Sequence, residues 1–213
     1  NSFPFFKNIG SLFILQGTGA VITFILQIYL IKVLGLHDYG LFVYLTAIVM
    51  PISFIAGFGF NISLIKYINE YLVDKKNELF SGIIYFSLGF TSLISLILTA
   101  IAILISYFFL NEDFFIYLIA FCLIPFNTTN TVFDSTLKAK KRFATSFIIA
   151  AIFKPLTLLV LILGSYFLNI KISLIEFLYV NLMLSFFQLI INIIIFKHCF
   201  PEVIYAKSNY RIK

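Results

Sequence analysis

Residues 80–110, FSGIIYFSLGFTSLISLILTAIAILISYFFL, form an unbroken run with no acid, base or amide. A helix rising 1.5 Å per residue needs about 20 mostly apolar residues to cross a bilayer core about 30 Å thick, so the run predicts a transmembrane helix. Five similar runs follow from the rest of the chain, over about 9–34, 40–65, 114–136, 144–168 and 174–196. The fold class expected is all-α: a polytopic transmembrane bundle of six helices, one domain over 1–213, with no Pro/Gly/Ser linker and no soluble module. Composition agrees, at 62% apolar and 11% charged, against roughly 45–50% and 25% for a soluble domain. With 28 Phe, 12 Tyr and no Trp, Tyr is the expected interfacial anchor.

The connections are short. The first span stops at Gly35-Leu36-His37-Asp38-Tyr39-Gly40, where Gly ends one helix and Asp is placed to cap the next. Pro51 is expected to kink the second span, and Asn111-Glu112-Asp113 to turn the chain after the third. Alternate loops hold Lys7, Lys66, Lys75, Lys76, Lys138, Lys140, Lys141, Arg142, Lys197, Lys207, Arg211 and Lys213, against Lys32 and Lys171 on the other side. Basic residues concentrate on the cytoplasmic side, so both termini are expected there. The net charge of +6 therefore reads as topology rather than as a nucleic-acid surface, and the basic stretch 138–142 as a topology determinant. Cys122 and Cys199 fall toward opposite faces, as do His37 and His198, so neither a disulfide nor a metal site is expected from them.

Polar side chains inside spans are costly and are functional candidates by default. Asn181, Ser185, Gln188 and Asn192 recur at spacings of four, three and four, on one face of the sixth span. Asn127, Asn130 and Asp134 share a face of the fourth, below Pro125. Lys154 precedes Pro155, twelve residues past Arg142 and so roughly 18 Å into the membrane. That depth pairs it with Asn127 and Asn130 rather than with Asp134, and the proline frees a backbone carbonyl nearby. A lone buried ammonium gives packing nothing, so Lys154 is expected to line a water-accessible cavity. For the stripe on the sixth span, interhelical hydrogen bonding and cavity lining both remain open. Thr91, Ser95 and Thr99, and Ser53, Gly57 and Asn61, read as helix packing. The candidate cavity-lining set is thus Lys154, Asn127, Asn130, Asn181, Gln188 and Asn192.

No nucleophile elbow, phosphate-cradling glycine loop, paired carboxylates or His/Cys cluster occurs in the loops, so neither enzyme chemistry nor a metal or cofactor is expected. Transport is the better class.

The hairpin Val33-Leu34-Gly35-Leu36-His37-Asp38-Tyr39-Gly40-Leu41-Phe42 is similar to one recurring in polysaccharide-export flippases. Gly57-Phe58-Gly59-Phe60-Asn61, Ile65-Lys66-Tyr67 and Leu137-Lys138-Ala139-Lys140-Lys141-Arg142-Phe143 follow in matching order. Together they resemble the N-terminal half of O-antigen and teichuronic-type flippases of the multidrug/oligosaccharidyl-lipid/polysaccharide exporter superfamily. The resemblance implies half of a MATE-like bundle of twelve to fourteen helices, in two pseudo-repeated halves around a cavity of alternating access. It implies a bacterial plasma (inner) membrane protein that passes polyprenyl-pyrophosphate-linked oligosaccharide, an O-antigen or capsule repeat unit, to the outer leaflet. Membrane lipids and other polysaccharide assembly proteins are the implied partners, and a cation such as Lys154 would suit the pyrophosphate or acidic sugars. Six spans opening on Asn1 rather than Met lead to the expectation of a piece of a longer transporter. The rivals are a multidrug or cation antiporter of the same superfamily, a membrane-embedded transferase acting on polyprenyl-linked glycans, and a non-transporting scaffold subunit.

Overall fold

A single glycine turns the chain between its first two spans. In the computed structural model, which describes residues 3–73, 77–109, 114–168 and 170–201, α1 (Phe3–Leu34) ends one residue before α2 (Leu36–Ala56) begins. Gly35 lies at φ 85°, ψ 166°, a conformation open to glycine and strained for any residue with a Cβ. Asp38 does not cap α2 as expected. It falls within the first turn, where its carboxylate meets the positive end of the helix dipole without a capping bond.

The second span breaks beyond its proline. Helix α2 runs on through Pro51, and the break comes at Gly57-Phe58-Gly59, before α3 (Phe60–Val73). Phe58 and Gly59 take φ of 46° and 75°, so the left-handed turn and not the proline ends the helix. Helix α4 (Asn77–Phe109) is continuous. The fourth span divides into α5 (Phe114–Phe121) and α6 (Leu123–Ala139), because Pro125 has no N–H to give the Phe121 carbonyl. The expected turn at 111–113, the charged residues 74–76, Asn169 and the basic tail 207–213 lie outside the described residues.

The fifth span is α7 (Phe143–Phe147), a π-helical segment (Ile148–Phe153) and α8 (Lys154–Phe167). Pro155 again explains the irregularity, since it withholds the N–H that an α-helical turn across 151–155 requires. Helix α9 (Leu174–Cys199) opens on a capping box: Ser173 Oγ accepts from the Glu176 N–H, and the Glu176 carboxylate accepts from the Ser173 N–H. Counted as spans, these elements give six helices long and apolar enough to cross a membrane.

Helix α6 is the hub, packed against α2, α3, α4 and α9, while α1 lies along α8. One apolar cluster, with Leu64, Ile68, Phe80, Ile84, Val132 and Phe196, closes the end carrying the 138–142 basic stretch. A second, with Leu45, Val49, Tyr117, Phe121, Ile124 and Leu178, closes the opposite end. A third joins Leu26 and Leu30 of α1 to Leu158, Ile162 and Phe177. Outward, the bundle presents Phe13, Phe54, Phe108 and Phe109, each at least two-thirds exposed. Such a surface suits lipid rather than water.

At the basic end, Lys138 pairs with Asp134 at 2.5 Å, and Lys140 donates to the Cys199 carbonyl at 2.6 Å while lying over the Phe200 ring. That bond satisfies a C-terminal carbonyl of α9 and ties it to α6. Lys141, in the left-handed region at φ 59°, ends α6, leaving Lys141 and Arg142 exposed.

Candidate functional site

Between the two end clusters the interior turns polar. Buried hydroxyls along the spans mostly satisfy themselves: Thr91 donates to the Ser87 carbonyl, Thr99 to Ser95 and Ser53 to Val49, each four residues back. Thr91, Ser95 and Thr99 are buried side chains of α4 whose hydroxyls stay on their own helix. The amides of α6 and α9 behave differently, because an amide cannot be satisfied by one carbonyl of its own turn.

Asn192 Nδ2 donates to Asn130 Oδ1 at 2.9 Å, and Asn130 Nδ2 donates to the Ser185 carbonyl at 3.3 Å. Gln188 Nε2 reaches the Ile149 carbonyl inside the π segment, also at 3.3 Å. A π turn displaces carbonyls from the helical ladder, and here α9 takes one of them up. The last member is Lys154. Its ammonium donates to Ser185 Oγ at 2.7 Å, and Ser185 Oγ donates to the Asn181 carbonyl at 2.9 Å. The depth estimate pairs Lys154 with Asn127 and Asn130, whereas its bonded partner is Ser185. Asn130 shares that residue through its backbone, and Asn127 lines the cavity nearby without a side-chain hydrogen bond among the described residues.

These groups border a cavity of about 730 Å³ lined by α1, α2, α5, α6, the π segment, α8 and α9 and open on one side. Lys154, Asn127, Asn130, Asn181 and Gln188 stand on its wall; Asn192 stands behind it, buried and holding Asn130. Asp134 borders the cavity too, but its carboxylate is engaged by Lys138 and by the Ser146 hydroxyl. Among the described residues no carboxylate lies within ion-pair reach of Lys154, whose amine is held by the neutral Ser185 hydroxyl alone. An anion 4 Å from that amine in its charged form gains about 4 kcal/mol at an effective dielectric of 20.

Two elements of the site escaped sequence reasoning. The π segment had a signal in Pro155, but where the winding would change was not marked. The second is a stripe on α1: Ala20, Thr23 and Gln27 on the wall, with Gln16 in register one turn before. Its spacing of four, three and four repeats that of α9, and so it was legible. Helix α1 approaches closely enough that a Cβ at Gly19 would lie 2.9 Å from the Ala151 carbonyl oxygen. Only glycine permits that contact with the π segment.

Neither a curated protein nor a solved structure matches this chain. A family model does, over residues 5–212, described as polysaccharide biosynthesis protein. The six spans, the polar interior and that match over nearly the whole chain place it in one family: the chain belongs to the polysaccharide biosynthesis proteins.

Proposed function

We propose that this chain forms part of a flippase that carries polyprenyl-pyrophosphate-linked oligosaccharide across a bacterial plasma membrane, with its basic end cytoplasmic. The observation that carries the reading is Lys154, a cation on the wall of a mid-bundle cavity, held by a neutral hydroxyl and facing no carboxylate among the described residues. A cation kept in a membrane interior at a cost of several kcal/mol is retained for what it binds. Within a family of polysaccharide biosynthesis proteins, the anion to be met there is the diphosphate bridge of a carrier-linked glycan. The amides around it suit the same cargo, since sugar hydroxyls both donate and accept. The cavity offers no paired carboxylates and no nucleophile with an adjacent base among the described residues, which favours movement of the cargo over its chemical change.

The test is made in the host. Lys154→Gln is introduced into the chromosomal gene, and surface polysaccharide is measured together with carrier-linked oligosaccharide on the inner leaflet. The expected result is accumulation of finished carrier-linked units with loss of surface glycan, at normal protein level. Normal surface glycan with new drug sensitivity would overturn this reading in favour of an antiporter.

A further inference from the structure

Lys154 is not alone among charged groups on the cavity wall. Asp134 of α6 borders the same cavity, and among the described lining residues it is the one carboxylate. Its side chain is 18% exposed, with one oxygen accepting from Lys138 Nζ at 2.5 Å and the other from the Ser146 hydroxyl of α7. Lys138 itself does not border the cavity, so an anion inside meets the carboxylate before it meets that ammonium. Two routes through the bonds place Asp134 near Lys154. Asn130, one turn away on α6, holds the Ser185 carbonyl, and the Ser185 hydroxyl holds Lys154. Along the fifth span, Ser146 stands eight residues before Lys154. Both routes give a separation on the order of 10 Å between carboxylate and amine, from about 1.5 Å of rise per residue.

Packing does not explain why this group is charged. An amide in its place would accept the Ser146 proton as well, and an ion pair four residues apart on one helix adds little to that helix. A charge within a span is also costly. Beside a site for an anion, a carboxylate does one thing that an amide does not: it repels the ligand that Lys154 attracts. A site that passes its cargo on must bind firmly enough to admit it and loosely enough to release it. We propose that Asp134 is a specificity-determining residue of the cavity, a counter-charge that limits how tightly the anionic head of a carrier is held at Lys154. Lys138 sets the strength of that opposition. The assignment rests on the transport reading above, and it adds the pair of residues that governs release of the head.

Binding to the full-length protein in lipid nanodiscs tests the counter-charge, with polyprenyl diphosphate and the neutral polyprenol of the same length as probes. A unit charge about 10 Å away changes the affinity for a monovalent anion about two- to fifteenfold, between effective dielectrics of about 80 and 20. Asp134→Asn is therefore expected to tighten the diphosphate by about that two- to fifteenfold and to leave polyprenol unchanged. Lys138→Gln leaves the carboxylate unopposed and should weaken the diphosphate by a similar factor, and the double variant should return toward wild type. Lys154→Gln should abolish the preference for diphosphate over polyprenol. Unchanged or weaker diphosphate binding in Asp134→Asn, or unchanged or tighter binding in Lys138→Gln, overturns the counter-charge while the effect of Lys154→Gln leaves the anion site standing. Should Asp134→Asn not fold, Lys138→Gln decides alone, with its polyprenol binding as the control for its fold. If wild type shows no preference for the diphosphate, or Lys154→Gln keeps it, the anion site of the transport reading falls and the counter-charge with it.

Discussion

Replacing Gly19 by alanine tests how closely α1 approaches the π segment. A Cβ there would sit 2.9 Å from the Ala151 carbonyl oxygen and 3.2 Å from the Ala151 Cβ, where ordinary contact begins at 3.4 Å. The oxygen belongs to the backbone and cannot rotate aside, so α1 must move out by about half an ångström. Overpacking of this kind costs roughly 1–3 kcal/mol. Against it stands the gain of alanine over glycine within a helix, at most about 1 kcal/mol. Gly17, two residues earlier in α1, has open space out to 4 Å where its Cβ would go, so the same substitution there keeps the gain without the clash. The expected outcome is that Gly17→Ala is neutral or stabilising, and that Gly19→Ala is less stable than Gly17→Ala by roughly 1–3 kcal/mol. Reversible unfolding of the full-length protein in mixed micelles, titrated with a denaturing detergent, measures the difference. Adding Ala151→Gly to Gly19→Ala removes the 3.2 Å contact and leaves the 2.9 Å one, so rescue should be incomplete. Equal stability of the two single variants would refute the close approach and the geometry that presents Lys154 to Ser185.

The remaining expectations concern the polar belt and the left-handed turns. Asn192→Leu leaves Asn130 Oδ1 without its donor and should cost roughly 1–3 kcal/mol. A double-mutant cycle with Asn130→Leu should give a coupling of about 0.6–1.7 kcal/mol, and a coupling of zero would remove the bond. Gly59→Ala, at φ 75° with open space around it, should cost about 1–2 kcal/mol for backbone reasons alone, while Lys141→Gly, at φ 59°, should gain several tenths to about 1 kcal/mol. Both shifts are read from the same unfolding titration, and a stabilising Gly59→Ala would contradict the turn that ends α2.

Much of the architecture was legible because its cause is local. A run of apolar and hydroxyl residues from 80 to 110 leaves a chain in lipid no alternative to a helix, and the six spans fall where the apolar runs do. Their interruptions were less legible. Pro51 lies within α2, and the helix ends only at the left-handed turn of Phe58 and Gly59. Pro125 and Pro155 do alter their helices, at Cys122 and over 148–153. Sequence alone does not separate these outcomes, because each depends on whether a neighbouring helix takes up the freed carbonyl. Gln188 adds a bond of this kind to the Ile149 carbonyl, within the π segment. The cap at Ser173, by contrast, is written in Ser-x-x-Glu and needs no tertiary partner.

The stripe on α9 shows where periodicity stops being informative. Spacings of four, three and four put Asn181, Ser185, Gln188 and Asn192 on one face, whether that face meets a helix or a cavity. What divides them is the group opposite each: Asn130 for Asn192, a π-helical carbonyl for Gln188, an ammonium for Ser185 and, for the buried Asn181 Oδ1, no hydrogen-bond partner among the described residues. The first two hold helices together, and their loss should be felt in stability. Ser185 belongs to both classes, since its carbonyl anchors Asn130 while its hydroxyl receives Lys154. The π winding makes this possible, because its i→i+5 register sets the face on which Lys154 emerges apart from the one that a 3.6-residue period assigns. Structural bonds at the rear of the belt thus fix Ser185, and Ser185 in turn holds the cation at the cavity wall.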